Sequence, residues 1–222
     1  MIINNNEIKA VIFDMDGVLI DTEKYLTKFW CMAAKEFGYD MRLEHAYEIR
    51  SLAGINGANR LKEIFGNEFD YEAVRNRRKE LMNVHLKENG IEPKPKLKES
   101  LVRIKNAGYK IAVATSTDFD RTSKYLSEIG VFDLFDNIVC ANMVKKGKPE
   151  PDIYLYVCEQ IGLKPSQCIA VEDSPNGLRS AYLAGTNAIM IPDLTEAADK
   201  EKDISVYIID DLEKLANLIC NN

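Results

Sequence analysis

The chain has 222 residues, 46% of them hydrophobic, enough to bury a sizeable core as one domain with an insertion or as two modest domains. A formal net charge of −6 argues against broad binding to nucleic acid or to anionic membranes, although a bound cation and a few lysines can still turn one site positive. Cys31, Cys140, Cys158, Cys168 and Cys220 are scattered with no Cys-x-x-Cys spacing, which gives neither a disulfide framework nor a zinc site and leaves buried, reduced thiols as the reading.

Residues 1–9 hold three asparagines and no apolar run long enough for a signal peptide. No later stretch reaches membrane-spanning length, so a soluble cytoplasmic protein is expected. The first strand is predicted at Ala10–Phe13, a short apolar run that ends in Asp14-Met15-Asp16-Gly17-Val18. Two carboxylates at i and i+2 beyond a strand project the same way around Met15, and Gly17 permits a sharp turn and a close backbone approach. Paired acids of this kind hold a hard cation, or divide the work of nucleophile and acid/base; alone, the pattern also suits a turn or a helix cap.

From 22 to 92 the pattern changes to helical periodicity, as in Leu26, Phe29, Trp30, Ala33 and Phe37, with no convincing strand. The dense charge of 75–80 reads as a solvated helix face. His45 and His85 have no partner motif and read as structural, and Trp30 reads as core of this helical segment. Pro93 and Pro95 then mark the return to short apolar runs. Strands are predicted at Lys110–Thr115, Asn137–Cys140, Cys168–Glu172, 187–191 and 206–209, alternating with helices at 96–107, 119–129, 151–161, 175–184 and 211–220. That alternation predicts an α/β fold, a Rossmann-like doubly wound parallel sheet. Its core is expected over 1–21 and 93–222, with 22–92 as an all-helical insertion.

Ligands of open parallel sheets collect at the carboxyl ends of the strands, and three more such ends carry polar groups. Thr115-Ser116-Thr117 offers hydroxyls and amides that could bind a phosphoryl oxygen, with a helix cap at Thr117 or Asp118 as the plainer role. In Gly147-Lys148-Pro149-Glu150-Pro151-Asp152 a lysine stands on a constrained backbone, a fixed positive charge, while Lys145 and Lys146 suit a solvated turn. Glu172-Asp173-Ser174-Pro175-Asn176-Gly177 supplies a second acidic pair, with Ser174 and Pro175 placed to open a helix.

In order, spacing and context these four blocks resemble the haloacid dehalogenase superfamily, and more narrowly its β-phosphoglucomutase-like branch; the resemblance runs from Ala10 to about Ile209. It implies Mg²⁺-dependent hydrolysis of a small phosphorylated metabolite, expected to be a sugar phosphate, through an aspartyl-phosphate. Asp14 would be the nucleophile and Asp16 the acid and then the base. Thr115, Ser116 and Lys148 would bind phosphate. Mg²⁺ would be held by Asp14, Glu172 and Asp173 with the Asp16 carbonyl. The helical insertion would be a cap over the site, with Thr22, Glu23 and the Gly54 loop as candidate substrate contacts. The β-phosphoglucomutase grips a second phosphate with two basic loop residues, where this chain has Ala53 and Gly57, and has a histidine at the place of Leu26. That places a phosphatase ahead of a sugar phosphate mutase, and both ahead of a non-catalytic binding protein, since every expected catalytic side chain is present. A monomer is the default expectation.

Overall fold

The computed structural model describes residues 1–50, 52 and 54–221. Six parallel strands form the main sheet: β3 (Ala10–Phe13), β4 (Lys110–Thr115), β5 (Asn137–Cys140), β6 (Cys168–Glu172), β7 (Asn187–Met190) and β8 (Tyr207–Ile208). They lie in the order β5-β4-β3-β6-β7-β8. The central strands are buried on both faces, which is why their sequences are continuous apolar runs instead of alternating ones.

Residues of alternate parity still face opposite sides. Val11, Phe13, Ile111, Val113, Ile169 and Val171 pack with α5 (Leu97–Asn106), α6 (Phe119–Glu128) and α10 (Leu212–Cys220). Ala10, Ile12, Ala112, Ala114, Ala170 and Ala188 lie on the other face with α7 (Asp152–Ile161) and α8 (Pro175–Leu183). The alanines let the α7 and α8 backbones come close, so the second layer is built on small residues. All five cysteines carry free thiols. Among the described residues no helix is long and apolar enough to cross a membrane.

Between β3 and α5 the chain forms α1 (Glu23–Glu36), α2 (Leu43–Glu48), α3 (Ile55–Phe65) and α4 (Tyr71–Asn89). These have a core of their own around Trp30, Ala33, Ala34, Ile49, Leu61, Phe69, Tyr71 and Val74. The two chain crossings to it run side by side: Asp21 N donates to Glu92 O at 2.8 Å and Lys94 N to Leu19 O at 2.9 Å.

The helical charge run behaves differently from its sequence expectation. Residues 75–80 are not simply a solvated face, because Arg78 is only 9% exposed. The helical period aligns Tyr71, Val74, Arg78 and Met82 on the buried side of α4, and the Arg78 guanidinium lies 5.3 Å from the Trp30 ring centroid. Two further elements lie outside the strands and helices expected from the sequence. Residues 1–7 form an antiparallel hairpin, β1 (Ile2–Ile3) and β2 (Asn6–Glu7), turned through Asn4 and Asn5 at φ 50° and 63°, which asparagine tolerates. Residues Asp199–Ile204 form α9 in a charged stretch, held by Glu201, whose carboxylate accepts from Ala198 N at 3.0 Å.

Candidate active site

Strand order brings the chemistry together. The chain leaves β3 for β4 and β5 on one side, then returns to β6 on the other, so the order reverses at β3 and a crevice opens at its carboxyl end. Phe13 is level with Val113 and with Val171, which sets Asp14 beside Ala114 and Glu172. Asp14 N donates to Val171 O at 2.9 Å and fixes the first residue past the strand.

Asp14, Glu172 and Asp173 are all buried, and each offers a carboxylate oxygen within 4.8 Å of the others. Lys148, 0% exposed, stands between two of them. Its Nζ donates to Asp14 Oδ1 at 2.5 Å and Ala114 O at 3.0 Å, and pairs with Glu172 Oε1 at 2.6 Å. Tyr154, buried in α7, donates its hydroxyl to Glu172 Oε1 at 2.5 Å. Arg50, just past α2, pairs its guanidinium with the Asp173 carboxylate, and Nη2 also donates to Asp173 O at 3.1 Å.

Burial dominates the electrostatics here. It raises Glu172 to about 8 and Asp173 to about 7, with Lys148 and Arg50 respectively pulling back and the neighbouring acids adding to the rise. Asp14 is raised for the same reason. Lys148 goes the other way from an ordinary buried lysine: Asp14 and Glu172 outweigh burial and hold its ammonium above the usual range. Two buried carboxylate oxygens, Glu172 Oε2 and Asp173 Oδ1, have no hydrogen-bond partner. Three acids, two orphan oxygens and an all-oxygen donor set fit a hard divalent cation.

Two glycines make room for this cluster. A Cβ on Gly17, at φ +88°, would collide with the Asp173 carboxylate, and one on Gly177 with the Glu172 carboxylate. Gly177→Ala is expected to lower stability by about 1–3 kcal/mol, the usual cost of overpacking. An unchanged urea midpoint would show that Glu172 moves aside freely.

Asp16 is held apart from the three acids. Thr22 Oγ1 donates to its Oδ1 at 2.5 Å and Thr117 Oγ1 to its Oδ2 at 2.9 Å, so both carboxylate oxygens are oriented by hydroxyls. Asp16 is not among the carboxylates gathered at the candidate cation position, and the role expected of it there is that of its main-chain carbonyl. Thr115 is fully buried and its Oγ1 accepts from Thr117 N at 3.1 Å. The helix cap is Asp118, which accepts from Arg121 N at 3.1 Å, and this frees Thr117 for Asp16. Ser174 caps α8 by accepting from Gly177 N at 3.2 Å.

These groups open into a cavity of about 380 Å³ whose wall includes Asp14, Asp16, Ser116, Glu23, Arg50 and Gly54. That size suits a small metabolite. Glu23 is raised well above the usual carboxylate range by burial, then by Asp173. Thr22 contacts Asp16 and is not on the cavity wall. Leu26 and Gly57 do line it, and Ala53 lies outside the described residues. Sequence reasoning missed Tyr154 and the pairing of Arg50 with Asp173, and read Thr117 as a phosphoryl donor or helix cap where it orients Asp16. The only available signal was Arg50 itself, a basic residue ahead of a glycine loop.

The sequence model described as haloacid dehalogenase-like hydrolase matches residues 11–191. A phosphorylated carbohydrates phosphatase of Thermotoga maritima is 32% identical over 185 residues, 82% of this chain and 83% of that protein. A β-phosphoglucomutase of Bacillus subtilis is 30% identical over 187 residues, 82% of each chain. The crystal structure of CbbY from Rhodobacter sphaeroides in complex with phosphate superposes with a TM-score of 0.74 at 26% identity, over 94% of this chain and 96% of that one.

Proposed function

The chain belongs to the haloacid dehalogenase-like hydrolase family, in its β-phosphoglucomutase-like branch, and on that footing we propose that this phosphatase removes phosphate from a small phosphorylated sugar through an aspartyl-phosphate on Asp14. One observation carries the reading: a buried nucleophile candidate held by Lys148 stands beside an acid whose two oxygens are both aimed by threonine hydroxyls.

An Asp14 carboxylate oxygen attacks phosphorus and the bond from phosphorus to the sugar oxygen breaks. Asp16 delivers its proton to that oxygen. Asp16 then takes a proton from water, whose oxygen attacks phosphorus, releases inorganic phosphate and restores Asp14. Lys148 remains ionised throughout and offsets charge on Asp14 and on the transferring group. Thr115 shapes the turn that presents Ser116 and Thr117, leaving Ser116 on the cavity wall for a phosphoryl oxygen. Asp14, Glu172, Asp173 and the Asp16 carbonyl would hold Mg²⁺, which when bound neutralises charge between carboxylate and phosphate. Residues 22–92 act as a cap that excludes water and presents Glu23 and the Gly54 loop to the leaving group.

The test is phosphate release across a panel of sugar phosphates, with Mg²⁺ and with chelator. Release that disappears on chelation is expected. Conversion of β-glucose 1-phosphate to glucose 6-phosphate with no phosphate released from any compound would replace the phosphatase by a mutase.

A further inference from the structure

The cavity has a second pole that the hydrolytic chemistry leaves unused. Arg75, Arg78 and Lys79 stand at i, i+3 and i+4 on α4 and line it, and Arg121 in the first turn of α6 faces the same space. Among the described residues the four cations make one ion pair, a 3.8 Å contact from Arg75 to Glu72 on the outer part of the helix. Arg78 is the informative member. Nine-tenths of it is buried, and its Nε is enclosed with no hydrogen-bond partner. Among the described residues its guanidinium makes no ion pair and lies over the Trp30 ring. A largely buried guanidinium with an orphaned Nε and no carboxylate partner is costly, and one beside three further cations more so. Burial first, and then Arg121 and Arg75, push Arg78 down to about 10. Lys79 is lowered by burial and by the three arginines.

A chain with a net charge of −6 has collected four cations on one wall of its active-site cavity, with a single ion pair among them at the described residues. We infer that Arg75, Arg78, Lys79 and Arg121 form a second anion subsite, so that the substrate carries a phosphate or a carboxylate at the end remote from the scissile phosphate. The inference builds on the proposed phosphatase for the identity of the scissile end only. Guanidinium groups suit either anion, because their paired N–H donors match two oxygens at once. The two basic loop residues absent at Ala53 and Gly57 are therefore not the only means by which this cavity can hold a second charge. Here the cations come from α4 and α6. Trp30 becomes the platform beneath Arg78 as well as core.

The test is equilibrium binding by calorimetry on the full chain in chelator, where turnover is suppressed. Matched pairs differ only in the far group: glucose 1,6-bisphosphate against glucose 1-phosphate, both pyranoses, and 6-phosphogluconate against sorbitol 6-phosphate, both open chains. The charged member is expected to bind at least about tenfold more tightly in one pair or both, and the pair showing it identifies phosphate or carboxylate as the far group. The double substitution Arg78→Gln with Arg121→Gln is expected to remove that preference. Should the double variant fail to fold, Arg121→Gln alone, at a half-buried position, is expected to reduce it several-fold. Equal affinities within both pairs, or a preference that survives substitution, overturns the subsite. Phosphate release with Mg²⁺ is scored separately: its absence would remove the phosphatase reading while the affinity ratios still decide the subsite.

Discussion

Asp14→Asn is expected to reduce phosphate release by on the order of 10⁴-fold or more, with the chain still folded. The amide keeps the volume of the carboxylate and can still accept from Lys148, but it is a poor nucleophile toward phosphorus. Folding should survive because burial, and then Asp16, raise the Asp14 pKa, and the Asp14 charge in turn raises Glu172 and Asp173, so removing it relieves that repulsion while Lys148 keeps Glu172. Two measurements read the two halves of this expectation. Single-turnover phosphate release should collapse, and the urea midpoint should move by no more than about 1 kcal/mol in stability terms. Residual release of several per cent would rule out a covalent phosphate on Asp14, and direct attack by water would take its place.

Lys148→Met is expected to give the largest loss of stability of any single substitution at the site, about 3–5 kcal/mol. Methionine fills a similar volume, so the loss is electrostatic. Lys148 is enclosed completely and carries the only ammonium in contact with Asp14 and Glu172 among the described residues. Without it two carboxyls remain in low dielectric with no compensating charge. The neighbouring Lys146 supplies the contrast: exposed, 4.0 Å from Glu150, its replacement by methionine should change stability by less than about 0.5 kcal/mol. Urea titration of both variants in chelator checks the pair. A cost below about 1 kcal/mol at Lys148 would mean that Asp14 and Glu172 simply take up protons, consistent with their raised pKa values, and that the lysine contributes little to folding.

The strands that carry the site were legible because parallel strands covered on both faces are written as unbroken apolar runs. Ala10–Phe13, Lys110–Thr115, Asn137–Cys140 and Cys168–Glu172 fall where the sequence places them. Their pairing order is not written in any one strand, since the side-by-side placement of β3 and β6 arises from contacts across more than 150 residues. Asp14, Asp16, Lys148, Glu172 and Asp173 were candidates in the sequence because Glu172 ends a strand, Asp14 and Asp173 directly follow one, Asp16 lies three residues past β3 and Lys148 stands between a glycine and a proline. Tyr154 could not, since a tyrosine on an apolar helix face reads as packing and only the fold brings its hydroxyl to Glu172. Arg78 was misplaced for a related reason: a run of charge shows how many cations a helix carries and not which of them its neighbour covers. The hairpin turned at Asn4 and Asn5 has an apolar run, Met1 to Ile3, too short to stand out in the sequence, although Ile3 packs in the core.

Arg50 lies just past α2, pairs its Nε with Glu23 of α1 at 3.7 Å, and turns its remaining donors on the loops beyond the strands. Its guanidinium holds Asp173, Nη1 reaches Thr195 Oγ1 at 3.5 Å, and its own carbonyl accepts from Asn176 Nδ2 at 2.9 Å. A cation arriving beside Asp173 competes with that guanidinium for the same carboxylate. Ion occupancy and the docking of the helical segment are then two sides of one exchange, linked by a single coupling free energy that acts equally in both directions. Whatever factor the docked arginine takes from the affinity for the ion, the bound ion takes from the docking.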